Sequence, residues 1–148
     1  MKIGVISDTH IPGAQLQLPA KLKRAFAGLD IILHAGDICD LNNLRELQNT
    51  YTITMAVYGE EDDADVQHYL EDRRVVQFGE RRIGLIHGHQ AEPTSWLRRL
   101  LRRGPLRPAE ATRHLALAAF EDVSCIIYGH THRPYVKMHG SVLLFNPG

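Results

Sequence analysis

Apolar residues fall along the chain in short blocks, and most blocks run directly into a histidine or an acid. Lys2 to Ser7, Asp30 to His34, Thr52 to Tyr58, Arg74 to Phe78, Arg82 to Ile86 and Val123 to Tyr128 have strand length and apolar or alternating character. Gly79-Glu80 joins the fourth and fifth blocks as a hairpin. Tyr135 to Met138 and Val142 to Phe145 form a second hairpin, turning at His139-Gly140. Between the strands the period changes. Pro19 to Gly28 carries Leu22, Ala25, Phe26 and Leu29 at helical spacing, with proline at the start and glycine at the stop. Leu41 to Leu47 reads as a helix capped by Asp40, and Ala64 to Leu70 as a short helix. Thr94 to Arg103 and Pro108 to Phe120 are two further helices, split by Gly104-Pro105. Strands alternating with helices predict an α/β fold.

With 148 residues, 44% of them hydrophobic, the chain fits one domain over 1–148 with its own core. No internal repeat, low-complexity tract or linker interrupts it. Zero formal net charge gives no global attraction to nucleic acid or an anionic membrane. No apolar run approaches the roughly 18 residues of a membrane span, and Met1-Lys2 opens into Ile3-Gly4-Val5-Ile6 rather than a signal peptide. Cys39 and Cys125 form no CxxC, which predicts reduced thiols and a cytoplasmic protein.

Histidine changes the picture. Five of the nine histidines, His10, His87, His89, His130 and His132, lie in tight motifs with glycine or aspartate. The chain is organised around Gly129-His130-Thr131-His132, straight after the Val123 to Tyr128 block. Residues i and i+2 of an extended segment point to one side, so a loop leaving that strand presents both imidazoles to one point. Asp8 and His10 repeat the spacing after the first strand. Asp37 follows the second, where sites gather in α/β sheets, and His34 inside that strand reads as a core or supporting histidine. Gly59-Glu60-Glu61-Asp62-Asp63 follows the third, and His87-Gly88-His89 follows Ile86.

Five strand ends carrying candidate ligands call for a common centre, because neighbouring strands lie only ~5 Å apart. Mixed oxygen and nitrogen donors suit manganese, iron or zinc better than calcium or magnesium. No cysteine accompanies these motifs, which argues against a structural zinc site. The donors outnumber the needs of one cation, so two divalent cations sharing a carboxylate are expected, with manganese first and iron, zinc or nickel as alternatives. Two cations roughly 3.5–4 Å apart can clamp a phosphoryl centre and supply hydroxide at neutral pH.

In their order and spacing, DTH at 8–10, GD at 36–37, GEED at 59–62, HGH at 87–89, GHTH at 129–132 and the closing Asn146-Pro147-Gly148 resemble the calcineurin-like metallophosphoesterase superfamily. The chain is most similar to its small YfcE-like phosphodiesterase branch. That resemblance implies two mixed β-sheets in a sandwich flanked by helices. It also implies Asp8, His10 and His132 as ligands of one metal, and His87, His130 and the residue ending the third strand as ligands of the other. Asp37 would bridge them, and His89 would support the ligands or contact the phosphate rather than bind a metal directly. The implied activity is a phosphodiesterase in which a metal-bridging hydroxide attacks phosphorus in line. Its substrate would be a small-molecule phosphate ester or a nucleotide, and the sequence leaves a homo-oligomer open.

One position departs from the pattern. Relatives of this type usually carry asparagine where Glu60 stands. Glu60 as the ligand would give three carboxylates with Asp8 and Asp37 against four positive charges. Attraction for a phosphate ester and acidity of the bound water would then fall, while metal binding would tighten. The same departure gives weight to another reading, a metal-binding scaffold similar to the retromer subunit of this fold; a phosphomonoesterase or nucleotide pyrophosphatase is a third. The arginines between Arg98 and Arg113 read either as an anion-binding rim or as a solvated helix face. Trp96, spaced with Leu100, reads as a core anchor.

Overall fold

The computed structural model describes residues 1–11, 20–51, 53–91 and 108–148. Its elements in chain order are β1 (Ile3–Ile6), α1 (Ala20–Ala25), β2 (Ile31–Ala35), α2 (Leu41–Thr50), β3 (Thr54–Val57), α3 (Ala64–Tyr69), β4 (Arg73–Phe78), β5 (Arg81–Ile86), a 3-10 turn (His89–Ala91), α4 (Pro108–Ala118), β6 (Cys125–Tyr128), β7 (Tyr135–His139) and β8 (Val142–Asn146). They form two sheets. One is wholly parallel, in the order β1-β2-β3; the other is mixed, in the order β4-β5-β6-β8-β7.

The strand β2 shows why the sequence blocks are continuously apolar. All five of its residues are buried. Ile31, Leu33 and Ala35 face the second sheet, packing with Val57 against Val76, Leu85 and Ile127. Ile32 lies on the opposite face with Ile6, Leu47 and Tyr51. A strand covered on both faces has no solvent side on which polar residues could alternate. The outer face of the second sheet is closed by α4, where Ala116 packs with Ile86, Ile126, Tyr128 and Leu144. Burying each such aliphatic side chain favours folding by about 1.5–3 kcal/mol.

The cap expected for α2 is present, and the structure adds one for α3. The Asp40 carboxylate accepts the Asn42 N–H at 2.6 Å and starts α2. Asp63 accepts the Val66 N–H at 2.8 Å and starts α3. The β7–β8 turn comes one residue later than the sequence suggests, at Gly140-Ser141. His139 stays in the ladder opposite Val142, and its ring meets the Tyr135 hydroxyl at 3.0 Å; Gly140 takes the positive φ of 61°. The Thr94 to Arg103 helix, with Trp96 and the arginines from 98 to 103, falls outside the described residues.

Candidate metal centre

Parallel pairing brings the five motifs together. The strands β1, β2 and β3 run the same way, with Ile6 opposite His34 and Ala35 opposite Val57. The strands β5 and β6 are also parallel, with Ile86 opposite Tyr128. Every ligand-bearing loop therefore leaves a C-terminal strand end at one edge of the sandwich. The loops are stitched by backbone hydrogen bonds: Asp8 N–H to Gly36 O at 3.0 Å, His10 N–H to Asp37 O at 3.2 Å, and Gly129 N–H to His87 O at 3.1 Å.

Asp8, His10, Asp37 and His132 each offer a donor atom within 4.8 Å of the others. The Nε2 atoms of His10 and His132 face each other at 3.2 Å. His10 Nε2 lies 3.5 Å from Asp37 Oδ2, and His132 Nε2 lies 3.4 Å from Asp8 Oδ1. Glu60, His87 and His89 form a second such group. His130 joins it, its Nδ1 standing 2.7 Å from Glu60 Oε1. Asp37 connects the two groups, because the same Oδ2 lies 3.3 Å from His87 Nε2.

His87 tests whether this arrangement fits a cation. Its Nδ1 stands 2.7 Å from the Ala35 carbonyl, which can only accept, so Nδ1 carries a hydrogen. A neutral ring then turns its Nε2 lone pair toward Glu60 Oε2 at 3.1 Å and Asp37 Oδ2 at 3.3 Å. Nε2 is fully buried and has no hydrogen-bond partner of its own. Like-signed electron density cannot rest there without a positive charge on Nε2, either a proton or a metal ion. In the metal-free protein it is a proton: burial works against the charged ring, but Asp37 and Glu60 outweigh it and push the pKa up to about 10. Burial likewise works to raise the carboxyls of Asp37 and Glu60, and contact with His87 holds both below their ordinary values. Two more buried donor atoms at the site, Asp8 Oδ2 and His89 Nδ1, also lack hydrogen-bond partners. Burial first, and then the neighbouring His87 charge, lowers the pKa of His89.

The loops are held in tense backbone. Seven described non-glycine residues have positive φ, and six of them, Asp8, His10, Asp37, Cys39, His130 and His132, belong to this site. Gly59 sits so close that a Cβ there would strike Asp37 Oδ1, and a Cβ at Gly129 would come within 2.8 Å of Asp8 Oδ2.

Three groups support the site: Asp62, whose role no motif signals, Asn146 of the closing motif, and His34, read from the sequence as a core or supporting histidine. Asp62 is 4% exposed, and its carboxylate accepts four backbone N–H groups: Asp37 at 3.1 Å, Ile38 at 2.6 Å, Cys39 at 2.6 Å and Gly59 at 2.7 Å. It ties the loop after β2 to the loop after β3 and so fixes Asp37 relative to Glu60. Burial pushes its carboxyl up, against the pull of those amides. Asn146 donates to Gly129 O at 2.9 Å and Thr131 Oγ1 at 3.1 Å, bracing the histidine loop from below. His34 is buried and neutral; burial drives its pKa down to about 3, and its Nε2 meets Thr9 Oγ1 at 3.1 Å. Asp62 left one signal in the sequence, an acid two places after the strand-end acid, but a turn rich in acids hides it. Cys39 and Cys125 are free, and burial raises both thiols to about 11, so neither is a thiolate at neutral pH.

Comparison with known proteins bears on this geometry. Residues 1–148 match the calcineurin-like phosphoesterase superfamily domain. A probable metallophosphoesterase of Methanothermobacter thermautotrophicus is 34% identical, over all of this chain and 76% of that protein. A phosphodiesterase of Methanocaldococcus jannaschii is 25% identical, over all of this chain and 83% of that one. The solved structure of Entamoeba histolytica Vps29 complexed with zinc superposes with a TM-score of 0.71 at 28% identity, over all of this chain and 74% of that one.

Proposed function

The chain belongs to the calcineurin-like phosphoesterase superfamily, and from that premise we propose that it is a metal-dependent phosphodiesterase. The observation that carries the reading is the Nε2 of His87, buried without a hydrogen-bond partner and facing two carboxylates. In this reading Asp8, His10 and His132 hold one divalent cation and Glu60, His87 and His130 the other, with Asp37 shared. Manganese suits the mixed donors. When bound, two such cations supply Lewis acidity and an acidified water for in-line attack on phosphorus.

The remaining work falls to the chain. The Ala35 carbonyl fixes the His87 tautomer, so that Nε2 is the ligating face. The His130 N–H, 3.0 Å from Asp8 Oδ1, orients that carboxylate. In the same reading His89 meets the phosphate oxygens; its Nδ1 is buried without a hydrogen-bond partner, 3.7 Å from Glu60 Oε2. The two free cysteines suit a cytoplasmic location. No helix among the described residues is long and apolar enough to cross a membrane.

A second reading rests on the likeness to Vps29 and on the glutamate at position 60: a metal-binding interaction protein with little turnover. One experiment separates the two. Purified protein is analysed for bound metal and assayed with bis(4-nitrophenyl) phosphate and added manganese. Metal-dependent hydrolysis is the expected result. Metal bound without turnover overturns the enzymatic reading in favour of the scaffold, and preference for 4-nitrophenyl phosphate makes it a monoesterase.

A further inference from the structure

Beside His130 and Thr131 the structure opens a cavity of about 600 Å³, within the size range of small-molecule sites. Its walls come from α4 and from the segment leading into β7, and it bears two guanidinium groups, Arg113 and Arg133, against one carboxylate, Glu110. Arg113 is preset. Its Cζ sits 4.7 Å from the centroid of the Tyr135 ring, and it hydrogen-bonds the Tyr128 side chain; a guanidinium has five N–H donors, so others remain for an oxyanion. The half-buried Tyr135 ring is itself fixed, by its edge contact with Tyr128 at 6.5 Å and by its hydroxyl on His139. An arginine held by an aromatic wall loses little rotamer freedom on meeting an oxyanion bidentately.

We propose that this cavity is a substrate subsite, and that Arg113, aided by Arg133, binds a second anionic group on the ester's organic moiety. This rests on the phosphodiesterase reading, since the cavity shares His130 with the candidate metal centre. It also answers the charge balance there. With Glu60 as a third carboxylate, the centre attracts a phosphate ester less strongly, and the net single positive charge of the cavity, two arginines against Glu110, offsets this in part. The preferred substrate class is therefore a phosphate ester whose organic group bears a further phosphate or carboxylate.

Binding of three probes to the manganese-loaded protein tests this by titration calorimetry: propyl phosphate, 1,3-propanediol bisphosphate and 4-phosphooxybutanoate. The bisphosphate is expected to bind about tenfold tighter than propyl phosphate, the factor set by one charge-assisted contact at the low end of its range. The carboxylate probe tells which anion is preferred: an advantage equal to that of the bisphosphate means that any oxyanion serves, and a smaller one marks phosphate. In Arg113→Gln the bisphosphate advantage should fall to within about twofold while propyl phosphate binds as before. If that variant does not fold, the exposed Arg133→Gln is expected to cut the advantage at least about threefold. No advantage in the unaltered protein, or one unchanged in the folded variant, overturns the proposal. Failure to hydrolyse the chromogenic diester would instead sink the phosphodiesterase reading and leave the binding result to stand alone.

Discussion

Glu60 bridges two histidines: Oε2 lies 3.1 Å from His87 Nε2 and Oε1 lies 2.7 Å from His130 Nδ1. The carboxylate of this strand-end acid thus reaches into the candidate centre, while 36% of the side chain stays open to solvent. Replacing it with asparagine removes one negative charge and one oxygen. For Glu60→Asn we expect metal affinity to fall by about tenfold or more, and turnover of the fully loaded enzyme to rise. A chelator-competition titration and kcat at saturating manganese measure the two effects. Equal affinity and equal kcat would remove Glu60 from the ligand set.

The bonds to Asp62 predict a structural cost separate from any ligand. In Asp62→Asn an amide NH2 must face backbone N–H groups now met by a carboxylate oxygen. The expected destabilisation is about 2–4 kcal/mol, read by urea unfolding of the metal-free protein. Metal affinity should fall as well, because the backbone of Asp37 is released. A neutral result would mean that the two loops hold their places without this carboxylate.

Proton release should accompany metal binding. Without metal, burial opposes a charge on His87, but Asp37 and Glu60 hold its pKa at about 10, above the ordinary 6.5. Its contribution to stability is therefore complete below 6.5 and is lost as pH rises through 10. At pH 8 the ring is still protonated, and a cation must displace that proton. Calorimetric titration with manganese in buffers of different ionisation enthalpy should show about one more proton released than in His87→Gln.

Acid should act through His34 in the opposite sense. Burial lowers its pKa from 6.5 to about 3, so its contribution is present above 6.5 and lost as pH falls toward 3. The full effect is on the order of 5 kcal/mol. His34→Gln, which keeps a partner for Thr9, should flatten the acid limb of a stability-versus-pH curve measured by denaturant unfolding. An unchanged limb would assign the acid sensitivity to other groups.

Five strand ends and their donors could be read in the sequence because ligand type, strand period and i, i+2 spacing are local properties. The family followed from the order of those motifs, and the cap Asp40 needed only its own helix start. The acidic turn shows where local reading stops. Within four residues, Glu60 enters the candidate centre, Glu61 is exposed, Asp62 is buried under four amides, and Asp63 caps α3. Nothing in the composition of that turn separates these fates. Three of the amides that claim Asp62 come from residues 23 to 25 positions away, brought there by the pairing of β2 with β3. The same holds for the proton on His87, which depends on a carbonyl 52 residues distant. The sequence determined which groups are present at each strand end; long-range backbone pairing decided where each one points, because a turn residue's direction is set by partners that only the assembled sheets provide.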